Sequence, residues 1–271
     1  MLAWPVGLRA QDISTFSNVT AGHYQVLAQS GTQIGGEVNS FMNQMLRAYS
    51  QFFSNWAWKD GARVIVFDNV EDFRSYSAAA TGMTHSGLTG YCHWKTDEDG
   101  NTFYELVTYE HDRLWQVLAH EGFHQFLGYE MGARDSGVPV WLNEGLAQYF
   151  ETSTIARSRL QTGAISTAKL RAAQYLIKTR RAPALGELLA MDRATFYANS
   201  QSCYPMSWAV VHYLLNRDTQ NFRGSTFRRY LSDLKMNRDS VGSFQRRFGR
   251  DSAQWQRDFE RYVLRLEAQV E

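Results

Sequence analysis

The chain of 271 residues has two cysteines, Cys92 and Cys203, and four scattered prolines. Two thiols allow one bridge at most, so a disulfide framework is excluded. There is no Pro-rich linker, no internal repeat and no low-complexity tract, which argues against a solenoid or a string of modules. No apolar run approaches the roughly 18 residues that a membrane-spanning helix requires. An excess of charge is also missing: 28 Lys and Arg stand against 27 Asp and Glu, a formal net charge of +1. That balance leaves no electrostatic footprint for nucleic acid or an anionic membrane surface. What the chain does have is hydrophobic side chain, 44% of residues with 14% aromatic, too much for a disordered polymer. A chain of this length can bury such a core without staples, as one large domain or two modest ones.

Periodicity orders the rest. Residues 1–20 read as an N-terminal tail. MLAWPVGLRAQ carries a short apolar stretch like the end of a signal peptide, but no basic segment precedes it and Leu8 stands where a small residue is expected. HYQVLAQ (23–29) alternates like a half-buried strand. From Gly35 and Gly36 to about Trp58, the apolar residues Val38, Phe41, Met45, Tyr49 and Phe52 recur at helical spacing. Arg63 to Asp68 is a β-branched run that reads as a buried strand, and Phe73 to Ala80 as a brief helix. Strands are expected at 88–95 and 102–109, joined by a charged turn with Asp99-Gly100. A helix follows the N-cap candidate Asp112 and is expected to stop at Gly128. From about residue 139 nearly everything reads as helix: 139–151, 167–179, 183–190, 205–216 and 252–269. A strand-rich front half thus gives way to a helical back half near the loop at 132–139.

The helix before that border contains His120-Glu121-Gly122-Phe123-His124. Residues four apart share a helix face, with Cβ atoms about 5–6 Å apart. Two imidazoles so placed can converge on one zinc ion at about 2.0–2.1 Å each. Glu121, beside the first histidine, points to the flank of the metal and suits the role of general base. Twenty residues beyond His124, within WLNEGLA, lies Glu144, in the first turns of a helix with Pro139 as an early position. Its apolar neighbours imply an occluded helix, where an unpaired carboxylate is costly. Two histidines and one glutamate leave a fourth position open, the arrangement of catalytic zinc.

HEGFH followed by WLNEGLAQYFE resembles the gluzincin branch of the zincin metallopeptidases, and the second segment is similar to peptidase MA-like domains. The resemblance implies an α+β zincin-like fold, with an N-terminal lobe (21–131) of mixed sheet plus active-site helix and an all-helical C-terminal lobe (132–271). It implies one Zn2+ held by His120, His124 and Glu144, a water activated by Glu121, and hydrolysis of peptide bonds. It also implies export to the periplasm or outside the cell, and an extended peptide or protein substrate pairing with an edge strand, for which Leu88 to Lys95 is the candidate. Gly90 would there admit a second backbone. A tyrosine or histidine from the helical lobe should donate to the oxyanion; Tyr204 is one candidate and His212 the other. Glu151, two turns beyond Glu144, could orient a ligand. Cys92 and Cys203 would pair if the protein is exported and stay as buried thiols if it is cytosolic.

Some alternatives stay open at this point. A zinc-containing binding or scaffold module and a non-peptide amidase both share these residues. The stripes Trp208, Val211, Leu215 and Trp255, Phe259, Tyr262, Leu266 read as core. Arg246, Arg247 and Arg250 read as a solvated face, and His85, His93 and His111 as histidines without a metal.

Overall fold

The alternating segment at 23–29 becomes a strand, and four others join it in one sheet. The computed structural model describes residues 12–51, 62–82, 84, 87–96, 102–131, 137–156, 159–216, 226–236, 238–249 and 251–267. A 3-10 turn (Ile13–Thr15) leads into β1 (Ser17–Ala21), which doubles back into β2 (Tyr24–Ala28). Helix α1 (Thr32–Ser50), strand β3 (Ala62–Phe67), helix α2 (Val70–Thr81) and strands β4 (Gly90–Thr96) and β5 (Thr102–Tyr109) follow. Strand order is β1-β2-β3-β5-β4. The inner strands β2, β3 and β5 run parallel, and β1 and β4 are antiparallel at the two edges.

Side-chain alternation assigns the faces of this sheet. Ile65, Phe67, Tyr91 and Val107 turn to one side, where they cluster with Phe16 and with Phe73 and Tyr76 of α2. Val64, Val66 and Leu106, on the alternate positions, are also fully or almost fully buried. A strand buried on both faces reads as continuous apolar sequence, which is what RVIVF shows.

The remaining elements are α3 (Leu114–Met131), α4 (Val140–Phe150), a small hairpin β6 (Thr154–Ala156) and β7 (Arg159–Gln161), α5 (Thr167–Lys178), α6 (Leu185–Ala190), α7 (Arg193–Ala198), α8 (Ser200–Asn216), α9 (Thr226–Lys235), α10 (Ser240–Phe248) and α11 (Ser252–Arg265). The class is α+β, a mixed five-stranded sheet with helices followed by a largely helical part. The described residues within Met1–Leu46 and Trp58–Gln125 form one compact unit, and those within Arg47–Ala57 and Phe126–Glu271 a second. In the second, α4 and α5 both pack on α8, and an aromatic cluster joins Trp141, Tyr230, Phe244, Phe248 and Trp255. Trp208, Val211, Leu215, Trp255 and Phe259 are buried, as their helical spacing implies, while Tyr262 and Leu266 are half-buried. No described helix is long and apolar enough to cross a membrane.

Several boundaries differ from the sequence reading for physical reasons. Residues 17–21, assigned to the tail, form β1; its alternation is polar and mostly exposed, so hydrophobicity does not mark it. Helix α1 begins at Thr32 and contains both glycines. A Cβ on Gly35 would lie 3.0 Å from Val19 Cγ2, so that glycine serves close packing against β1 rather than a helix start. Helix α3 begins at Leu114 and continues past Gly128 to Met131. Burial of Phe126 and Leu127 and an ion pair of 2.8 Å between Glu130 and Lys235 outweigh the roughly 1 kcal/mol that glycine costs in a helix. Pro139 is the N-cap of α4, one position before the helix. The hairpin β6–β7 interrupts the stretch read as nearly all helix, and α8 starts at Ser200 with Pro205 inside it. Trp58, His85, Asp99-Gly100, the loop residues 132–136, Arg250 and residues 1–11 and 268–271 lie outside the described residues.

Candidate metal centre

Two contacts fix α3 on the sheet. The Gln125 side-chain amide, fully buried, donates to the carbonyls of Arg63 on β3 and Tyr104 on β5, each at 2.9 Å. Near the other end, a Cβ on Gly90 would overlap Val117 Cγ1 and lie 3.3 Å from Thr108. Val117 therefore sits over the Gly90–Thr108 pair and Gln125 over Tyr104. Because β4 and β5 are antiparallel, these anchors make α3 antiparallel to β5 and parallel to the edge strand β4. His120, Glu121 and His124, all half-buried, fall between them. Gly90 is thus explained by the close approach of α3, not by room left for a second backbone.

The helical repeat places the two imidazoles side by side, with ring centroids 4.9 Å apart and planes at 80°. With Glu144 they form a group whose ligand atoms, one from each residue, all lie within 4.8 Å of one another. Glu121 is not a member of that group. Two imidazole nitrogens and one carboxylate oxygen are a donor set that suits Zn2+, and three protein donors leave a coordination position open. The arrangement could hold one metal ion.

Glu144 comes from a helix buried on almost every side: of α4, every residue except Tyr149 is buried. The reason is its packing on α8. A Cβ on Gly145 would lie 2.7 Å from the Ser207 carbonyl oxygen, so the glycine after Glu144 is what lets the two backbones approach so closely. Glu144 is only 4% exposed, and a carboxylate at that depth needs donors from the protein. One is Tyr197 of α7, whose hydroxyl donates to Glu144 Oε1 at 2.8 Å. Burial first, then the charge and hydrogen bond of Glu144, hold the Tyr197 phenol well above its ordinary pKa, so it remains a neutral donor. Sequence reasoning did not single out Tyr197. The N-cap Asp192 is a usable sign that a short helix begins there, but nothing local shows that its phenol reaches a glutamate 53 positions earlier.

The other sequence candidates occupy varied places. Tyr204 is half-buried, its ring 5.4 Å from that of Phe196 and 6.5 Å from that of Tyr197, and its carbonyl accepts the Gln148 amide at 3.1 Å. His212 shares a 2.8 Å hydrogen bond between Nδ1 and the Tyr262 hydroxyl and packs against Trp208. Burial pushes its pKa down to about 4, the behaviour of a neutral core histidine. Glu151 pairs with Lys169 at 2.7 Å. His93 hydrogen-bonds Glu105 at 3.0 Å, and His111 Nδ1 accepts the Arg113 amide at 3.2 Å. Arg247 pairs with Asp233 through two nitrogens, at 2.8 and 2.9 Å, and Arg246 donates to Ser243, so these arginines brace the helical part. Cys92 is half-buried and Cys203 buried, and neither is part of a disulfide. Strand β4 is an edge of the sheet among the described residues.

No curated protein matches the chain. Residues 116–233 match a family model described as "Protein of unknown function (DUF1570)", a span that includes His120, Glu121, His124, Glu144, Tyr197 and Tyr204.

Proposed function

We propose that the protein is a zinc-dependent metallopeptidase, with His120, His124 and Glu144 as metal ligands and Glu121 as general base. The observation that carries this reading is the convergence of two histidines one helical turn apart with a buried glutamate from another helix. A purely structural pair of histidines has no need of that third donor. His120, His124 and Glu144 would hold the zinc, which would supply Lewis-acid polarisation of a carbonyl oxygen and a water acidified toward neutral pH. Glu121, adjacent to His120 but outside the ligand group, takes the proton from the attacking water and passes it to the leaving amine. Tyr204 is the donor we assign to the developing oxyanion. The substrate is an extended peptide added as a strand alongside β4.

The direct test is Glu121→Gln in zinc-loaded protein, assayed on a diverse peptide library with mass analysis of products. The variant is expected to keep its zinc and lose turnover by about 10²–10⁴-fold, the usual weight of a general base. Cleavage at the parent rate would remove Glu121 from the mechanism. A zinc-loaded parent that cleaves no peptide, but hydrolyses small amides or nothing at all, would favour an amidase or a binding module instead.

A further inference from the structure

Buried ligands need their own partners, and Glu144 has one in an unusual place. Tyr197 is 42% exposed, so its ring is not a core anchor; a phenylalanine would satisfy such a position equally well by packing. Yet its hydroxyl is aimed inward, at Glu144 Oε1, over 2.8 Å. The support beneath it is firm. The first turn of α7 is capped by Asp192, which accepts the Thr195 amide at 2.8 Å. Phe196 beside it is fully buried, and the Tyr197 ring lies 5.7 Å from that of Phe196 and 6.5 Å from that of Tyr204. A carboxylate has two oxygens, and a donor held on one of them restrains the rotation of the group and leaves the other available to a metal.

We infer that Tyr197 is a positioning residue that holds Glu144 as a one-oxygen ligand, keeping a coordination position open for water. The inference rests on the zinc reading of the site and goes beyond it, because it assigns the geometry of the third ligand to a residue outside both sequence motifs. Partners that orient a ligating group commonly change metal affinity by about 10–100-fold when removed. Without the Tyr197 hydroxyl, Glu144 loses a donor that orients its carboxylate, so metal affinity falls and the surroundings of the ion change.

The test compares Tyr197→Phe and Tyr204→Phe with the parent, each loaded with Zn2+ for affinity by chelator competition and with Co2+ for its visible spectrum. Tyr197→Phe is expected to weaken zinc binding by about 10–100-fold and to shift the cobalt bands. Metal-free, it should melt somewhat below the parent, because buried Glu144 loses a donor, so both metal readouts are taken on folded protein at a temperature below that melt. Tyr204→Phe is expected to leave both metal readouts at parent values. Parent-like affinity and spectrum in Tyr197→Phe overturn the assignment while the zinc reading stands. Equal losses in the two variants also overturn it, because the effect then belongs to the aromatic cluster. A parent that binds neither metal overturns the zinc reading and this inference together.

Discussion

In the sheet-bearing unit, a carboxylate with no exposed surface, Glu105, accepts hydrogen bonds from Tyr76 and His93 at 3.0 Å and pairs with Lys95 at 2.6 Å and Arg63 at 3.4 Å. In the helical unit, the buried ring of His212 meets aromatic neighbours and the phenol of Tyr262. Both groups are deep, and burial penalises the charged form of each. For Glu105 the bonds from His93, Lys95 and Tyr76 and the charge of Lys95 together outweigh that penalty, and its pKa drops to about 2. For His212 burial is the cause, with no opposing charge among the described residues, and its pKa falls to about 4. The comparison teaches that depth alone does not determine protonation. The unit that surrounds its buried group with cations keeps it charged, and the unit that surrounds it with rings keeps it neutral.

Acid should therefore weaken the two units in separate windows. Glu105 has a folded pKa below its unfolded value near 4.5, so its contribution is complete above that value and is lost as pH falls toward about 2. His212 also has a depressed folded pKa, so its contribution is complete above about 6.5 and is lost as pH falls toward about 4. Each shift corresponds to about 3 kcal/mol at about 1.4 kcal/mol per pKa unit. His111, in the sheet-bearing unit, is held low by partial burial and then by Arg113. It lies half-buried on the approach to α3, so its share is smaller.

The largest effect that sharpens the comparison is expected from Glu105→Gln. It leaves Lys95 and Arg63 against an uncharged amide and should cost about 3 kcal/mol in denaturant unfolding at pH 7. It should also flatten the stability curve between pH 4.5 and 2. A variant as stable as the parent, with the same acid limb, would break the account of that cluster. A smaller change is expected from His212→Phe: stability at pH 7 within about 1 kcal/mol of the parent, with the decline between pH 6.5 and 4 reduced. Nuclear magnetic resonance of the His212 ring checks the cause directly. A midpoint near 6.5 would contradict it.

The parts of the site set by local spacing were legible in the sequence, and the parts set by distant contacts were not. Two histidines four apart announce a shared helix face, and an acid amid apolar neighbours announces an occluded helix; both appear as read. Strands β2, β3 and β5 were readable because burial imprints apolar runs or alternation on them. Strand β1 was missed because its side chains are mostly exposed, and β6 and β7 because three residues carry no period. Gly35 and Gly90 misled for one shared reason: the sequence shows that a residue lacks a side chain, while the neighbour that needs the space lies elsewhere in the chain. The supports of the site follow the same rule. Gln125 reaches carbonyls of two strands and Tyr197 reaches Glu144, and neither contact has a local signature.

The central claim is that His120, His124 and Glu144 bind one metal ion together. Elemental analysis after exhaustive dialysis, on the parent and on Glu144→Ala, tests it most directly. The account predicts one zinc per parent chain and loss of most of it in the variant. A parent free of metal, or a variant that keeps its full zinc, would contradict it.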